Sequence, residues 1–210
     1  MANPALVRIG LNVVSHLCMT RTSSLLLAVV LGLYGCTTQP HGVAVAHGKL
    51  FTGGYINIRA PQSDGWQLIH LSGSGMVFVR RGDTQTSSFT ASVNMFDMPP
   101  TNTPESLETL IKEAAAKDTD PSRFDVQQQS IKYSTERSYP CVRYQSVAKD
   151  RTPKGSTAPL VLEIDGLYCR HPVRQDTGFA AVYSYRGTSR HSTLRSEAEL
   201  FVQGVHPPEK

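Results

Sequence analysis

Three of the four cysteines stand where a thiol could be put to work. Cys36 closes the stretch Arg21–Cys36, RTSSLLLAVVLGLYGC, in which one arginine precedes an unbroken apolar run from Leu25 to Leu33 and the small Gly35 sits directly before the thiol. A basic start, a short apolar run and a small residue before a cut point make the layout of an export signal. Leu25 to Leu33 is too short to span a bilayer, which needs ~20 apolar residues. With export comes an oxidising compartment, where the pair Cys141 and Cys169 reads as a structural disulfide. Their spacing supports it. If Pro140–Ala148 and Leu160–Arg170 form a hairpin centred on Gly155, paired residue numbers sum to 310 and Cys141 falls opposite Cys169. Opposed residues of an antiparallel ladder have Cα atoms ~4.5–5.5 Å apart, within disulfide reach. A bulge near Gly166 would shift that register by one residue.

Other chemistry is thinly represented. The nearest approach to a nucleophile elbow, Ser72-Gly73-Ser74-Gly75, lacks the required pattern and reads as a hairpin turn. A zinc site would have to join Cys141, Cys169 and His171 with His70 or His191, but Cys169 and His171 are only two residues apart and no paired ligand spacing accompanies them. No HExxH, phosphate-loop or dinucleotide fingerprint occurs, so no cofactor is expected. One grouping stands out: Arg170, His171, Arg174, Arg186, Arg190, His191 and Arg195 concentrate positive charge in the last quarter of the chain. Arg186, Arg190 and Arg195 form the candidate binding surface, since guanidinium forks suit phosphates and carboxylates. Lipid headgroups, lipopolysaccharide phosphates or an acidic protein would fit it. The opposing reading is a solvated face paired locally with Asp176, Glu197 and Glu199.

The quartet Leu33-Tyr34-Gly35-Cys36 resembles the lipobox of bacterial envelope lipoproteins. That resemblance implies a diacylglycerol on the Cys36 thiol, removal of residues 1–35, acylation of the new amino terminus and attachment to a membrane. Because Thr37 and Thr38 follow, and no aspartate does, it implies an outer-membrane address facing the periplasm in a Gram-negative host, with the inner membrane as the alternative. Read from the residues alone, the stretch also fits a secretory leader cut near Gly35 or an uncleaved anchor. Met19 is the better-placed start, which makes residues 1–18 an upstream extension.

Net charge excludes one class of partner. The whole chain carries +4, and losing Arg8 and Arg21 with the leader reduces this to +2. Acids are mixed among the bases, so nucleic acid is not an expected partner. The chain from Cys36 onward suits one domain.

Period-two patterning dominates the positions that must carry these groups. Residues 36–54 read as a lipidated cysteine and flexible tether, 55–206 as one globular domain, and 207–210 as a tail. Strands are expected at Tyr55–Arg59, Trp66–Leu71, Met76–Arg80 and Ser88–Phe96, with short turns that imply antiparallel neighbours. Thr103-Pro104-Glu105 then opens a helix with Leu107, Leu110, Ile111, Ala114 and Ala115 on one stripe and Glu108 in water. Strands resume at Phe124–Tyr133, Pro140–Ala148, Leu160–Arg170 and Phe179–Tyr185, and Ser192–Val205 reads as a closing helix. The expected class is α+β, a largely antiparallel sheet with two packed helices. Trp66 reads as a core or rim residue.

This element order, with Trp66 following Asp64-Gly65, resembles the PsbP-like (DcrB-like) fold over roughly Tyr55 to Val205. The resemblance implies a non-catalytic binding or accessory domain. The alternative is a periplasmic hydrolase whose groups converge only in space, such as His70 or His171 beside Asp165.

Overall fold

The computed structural model describes residues 42–208, so the stretch expected to be an export signal, with Cys36, lies outside the described residues. Eleven strands and two helices follow one another as β1 (Val43–Ala44), β2 (Leu50–Thr52), β3 (Asn57–Arg59), β4 (Gln67–Leu71), β5 (Gly75–Arg81), β6 (Ser88–Asp97), α1 (Pro104–Asp118), β7 (Phe124–Ser134), β8 (Cys141–Asp150), β9 (Leu160–Arg170), β10 (Thr177–Gly187), α2 (Leu194–Gln203) and β11 (Val205–His206). An eight-stranded sheet runs in the order β1-β4-β5-β6-β10-β9-β8-β7, and a small one in the order β11-β3-β2. Every pairing is antiparallel. The class is therefore α+β, as the patterning predicts.

Alternation of side chains divides the large sheet into two buried faces. On one, Leu107, Ile111 and Ala115 of α1 pack with Ile131, Val142, Tyr144 and Tyr168. On the other, Ala198, Phe201 and Val202 of α2 and Ile58 of the small sheet pack with Trp66, Phe78, Phe89, Phe179 and Tyr183. Trp66 is a core residue there, and its indole Nε1–H donates to Ser63 Oγ at 3.0 Å.

Local chemistry accounts for the boundaries. Thr103 caps α1 by accepting the Ser106 N–H at 3.2 Å, while Ser106 Oγ accepts the Thr103 N–H at 3.1 Å. The β8–β9 ladder keeps one register from Cys141↔Cys169 to Asp150↔Leu160, with no bulge at Gly166. A Cβ at Gly166 would lie 2.9 Å from the Ala181 carbonyl oxygen, so the close approach of β10 requires glycine. Cys141 and Cys169 form a disulfide.

Four expectations are corrected. The tether does not extend to residue 54, because β1 pairs with β4 and β2 pairs with β3. Asn57–Arg59 joins the small sheet rather than the large one. The closing helix stops at Gln203, and Val205 pairs with Ile58 as a strand once the Gly204 N–H has capped the last turn. Glu108 does not point into water: its carboxylate accepts the Tyr133 N–H at 2.6 Å and so occupies a main-chain donor of the edge strand β7.

Candidate ligand-binding groove

Two cross-strand rows build the site. Through the registers of β6, β10, β9, β8 and β7, Ala91, Tyr183, Asp165, Gln145 and Ser130 stand side by side. The adjacent row is Phe89, Tyr185, Glu163, Val147 and Gln128. Each row begins in the aromatic core and ends in polar groups at the β7 edge. Helix α2 packs over β10 and β9, leaving the polar half as a groove of about 550 Å³ walled by residues 190–195.

Its floor holds two buried carboxylates, Glu163 and Asp165. Glu163 Oε1 accepts from Arg190 Nε at 2.7 Å, and its Oε2 accepts the His191 main-chain N–H at 2.6 Å. Asp165 Oδ2 accepts from Gln145 Nε2 at 2.9 Å, and Oδ1 lies 2.7 Å from Arg143 Nη2. Burial pushes the Asp165 carboxyl above its ordinary range, against the pull of Gln145, Arg143 and Arg195. The His191 ring stands edge-on to Phe89 at 4.9 Å and beside Tyr185 at the same distance.

Behind α2 lies a second polar knot. Glu197 Oε2 accepts from the Tyr183 hydroxyl at 2.6 Å and from Arg80 Nη2 at 3.0 Å, while Oε1 accepts from Thr193 Oγ1 at 2.7 Å. Burial, and then the Glu197 hydrogen bond, raise the Tyr183 phenol. This knot pins the first turn of α2 to β10 and β5, and so fixes the groove wall.

The expected basic surface is only partly assembled. Arg190 and Arg195 line the groove. Arg186 does not join them: alternation along β10 sends it to the α1 face, where it lies 3.6 Å from Asp150. Arg190 is paired with Glu163, so the local partners differ from Asp176, Glu197 and Glu199. The histidines named for a hydrolase stand elsewhere. His171 Nδ1 accepts the Val173 and Arg174 N–H groups at 3.2 and 3.1 Å, which leaves Nε2–H to donate to the Tyr55 carbonyl at 3.0 Å. His70 lies on β4, outside the groove lining. Among the described residues no group of three or more His, Cys, Asp or Glu side chains could hold a metal ion.

Sequence reasoning passed over Glu163, Gln128 and Gln145 as site residues. A signal was present for the first: Glu163 and Asp165 interrupt an otherwise apolar strand at a two-residue spacing, which puts both on one face.

No protein-family model matches this sequence, and no curated protein matches it. Among solved structures the chain is similar to a point mutant of protein Mog1, with a TM-score of 0.41 and 14% identity over 75% of this chain and 94% of that one. It is also similar to the Saccharomyces cerevisiae Ran-binding protein Mog1p, with a TM-score of 0.42 and 13% identity over 77% and 96% of the two chains. Similarity at this level carries no argument about what the groove binds.

Proposed function

We propose that this chain is a lipid-anchored envelope protein, held by Cys36 at the outer membrane and facing the periplasm, whose domain binds a partner in the groove rather than catalysing a reaction. The observation that supports binding is the commitment of Glu163, whose two oxygens are held by Arg190 and the His191 N–H; Asp165 is held by Gln145 through Oδ2, while its Oδ1 lies 2.7 Å from Arg143 as an ion pair and accepts no hydrogen bond among the described residues. A general base or nucleophile needs a free lone pair beside its target. Here the carboxylates position guanidiniums and amides instead, and leave Gln128, Ser130, Ser192 and Arg195 at the rim. Arg143 is shared between Asp165 and Glu136 and Arg190 is paired with Glu163, which leaves Arg195 as the groove guanidinium with no ion pair of its own among the described residues, so the groove suits a polar segment of another envelope protein that carries an acidic side chain.

Site-specific photocrosslinking in intact cells tests the groove. A crosslinker at Gln128 or Ser192 is expected to trap one and the same protein, an adduct that Arg195→Glu reduces, while a crosslinker at Arg186 on the opposite face does not trap it. An equal yield at Arg186, or no adduct from either groove position, removes the proposal. For the anchor, Cys36→Ser is expected to lose a metabolically incorporated fatty-acid label. Label retained in that variant sinks the lipid assignment.

A further inference from the structure

A second concavity, of about 200 Å³, lies at one end of the molecule between the Gly53-Gly54 loop and the Ser72–Gly75 turn of the β4–β5 hairpin. Its lining is mostly apolar, with Phe51, Tyr55, Leu71, Met76 and Met95 beside Thr52, Ser72 and Ser74. Two of the large apolar residues on its rim are open to solvent, Leu71 at 62% and Tyr55 at 49%. Val173, at 58%, belongs to the neighbouring β9–β10 turn, which is tied to Tyr55 twice. The Arg174 guanidinium lies 4.6 Å over the Tyr55 ring, and His171 Nε2 meets the Tyr55 carbonyl at 3.0 Å. Grouped exposed apolar side chains mark a surface that meets something other than water.

The direction of the chain indicates what covers it. β1 runs antiparallel to β4 with Val43 opposite Leu68, so, followed backwards, the chain heads along β4 toward Leu71. Gly42 already packs on Ile69, where an added Cβ would lie 3.0 Å from Ile69 Cγ2. Only five residues lie between Cys36 and Gly42, six steps of chain with a reach of at most ~20 Å. A lipid on Cys36 must therefore enter the bilayer close to this end of the domain.

We infer that the apolar end carrying Tyr55, Leu71 and Val173 docks on the phospholipid bilayer that holds the Cys36 lipid, an inference that rests on the lipid-anchor reading above. A tyrosine ring suits the membrane interface, the Leu71 and Val173 side chains enter the acyl boundary, and Arg174 reaches headgroup phosphates. Asp97 and Asp176 lie at the same end and offset Arg174, so apolar insertion rather than charge holds the contact. The groove floor at Glu163 and Asp165 lies along β9 away from its Arg170 end, which keeps the groove open to the periplasm.

Full-length lipidated protein, reconstituted in phosphatidylethanolamine–phosphatidylglycerol vesicles with brominated acyl chains, tests this through tryptophan quenching. Leu71→Trp and Val173→Trp are compared with Val126→Trp and Leu200→Trp, whose native residues are also exposed, at 41% and 52%. Trp66 is buried and supplies a constant background. The expected result is loss of the added emission at 71 and 173 and none at 126 and 200. Two exposed probe sites guard against misfolding of either variant. Vesicle flotation, measured on the same samples, separates the two claims. Protein that floats with equal quenching at all four positions overturns the docked orientation alone. Protein that fails to float overturns the anchor and the orientation with it.

Discussion

Removing the Cys141–Cys169 disulfide should bring the domain to the edge of stability. The bond closes a chain segment with a sequence separation of 28, for which loop-closure entropy gives about 12 cal/mol/K, or ~3.6 kcal/mol at 25 °C. Both cysteines are buried against Leu167 and Phe179, so truncating them to alanine adds ~1–2 kcal/mol of lost packing. The double variant Cys141→Ala/Cys169→Ala should therefore lose ~5 kcal/mol, against a total of ~5–15 kcal/mol for an ordinary domain. Urea unfolding followed by Trp66 fluorescence measures this, because the indole sits edge-on to Phe89 and Tyr183 in the core. Wild type treated with dithiothreitol keeps its sulfur atoms and should lose only the entropic part. The difference between reduced wild type and the double variant then isolates packing. Both should unfold with a steeper urea dependence, since the unfolded chain is no longer looped. A reduced wild type with an unchanged midpoint, or two free thiols in the native protein by intact mass, would refute the reasoning.

Four further outcomes are expected. Asp150 is fully buried and accepts from Arg123 Nε and Nη2 at 3.0 and 2.9 Å, with Arg186 at 3.6 Å; Asp150→Ala leaves two guanidiniums without their anion and should cost ~3–5 kcal/mol in urea unfolding, and a loss below ~1 kcal/mol would contradict this. Burial alone would raise the Asp150 carboxyl, but the Arg123 hydrogen bonds and the charges of Arg123 and Arg186 outweigh it and hold the group below the usual range. Its contribution is therefore complete above the unfolded value of ~3.9 and is lost as pH falls through the lower folded value, so Asp150→Asn should flatten the acid side of the stability profile. Asp165 has the opposite sign: its stabilisation is complete below the unfolded value of ~3.9 and is lost as pH rises from there through the raised folded value, so Asp165→Asn should gain on wild type as pH increases across that window. Arg170 is buried, has no carboxylate partner among the described residues, and donates to the Gln175, Met98 and Pro99 carbonyls and to Thr101 Oγ1. Arg170→Met should lower the melting temperature by ~5–10 °C through the carbonyls left unpaired, and an unchanged melting temperature would show that water replaces the guanidinium.

What the amino-acid order determined by itself is local. The turns between β4 and β5 and between β8 and β9, the capped start of α1 and its apolar stripe are all written in neighbouring residues. The disulfide was legible for the same reason, because a hairpin's register follows from where its loop is centred and from an unbroken alternation of side chains. Tertiary structure decided the rest. Strand β6 pairs with β10 across the whole span of α1, β7, β8 and β9, and no local pattern specifies that partner. Only this closure lines Phe89 and Ala91 up with Glu163 and Asp165, and so carries each row from core to groove. Residues close in sequence were likewise separated by it. Arg186 and Arg190 read as one basic cluster, yet the alternation along β10 puts Arg186 beside Asp150, while the chain leaving that strand folds over the other face and sets Arg190 on Glu163. Residue types state which groups are available and parity states which of them share a face. Whether a face becomes core or groove depends on where α2 lies, a position held by contacts between residues as far apart as Arg80 and Glu197.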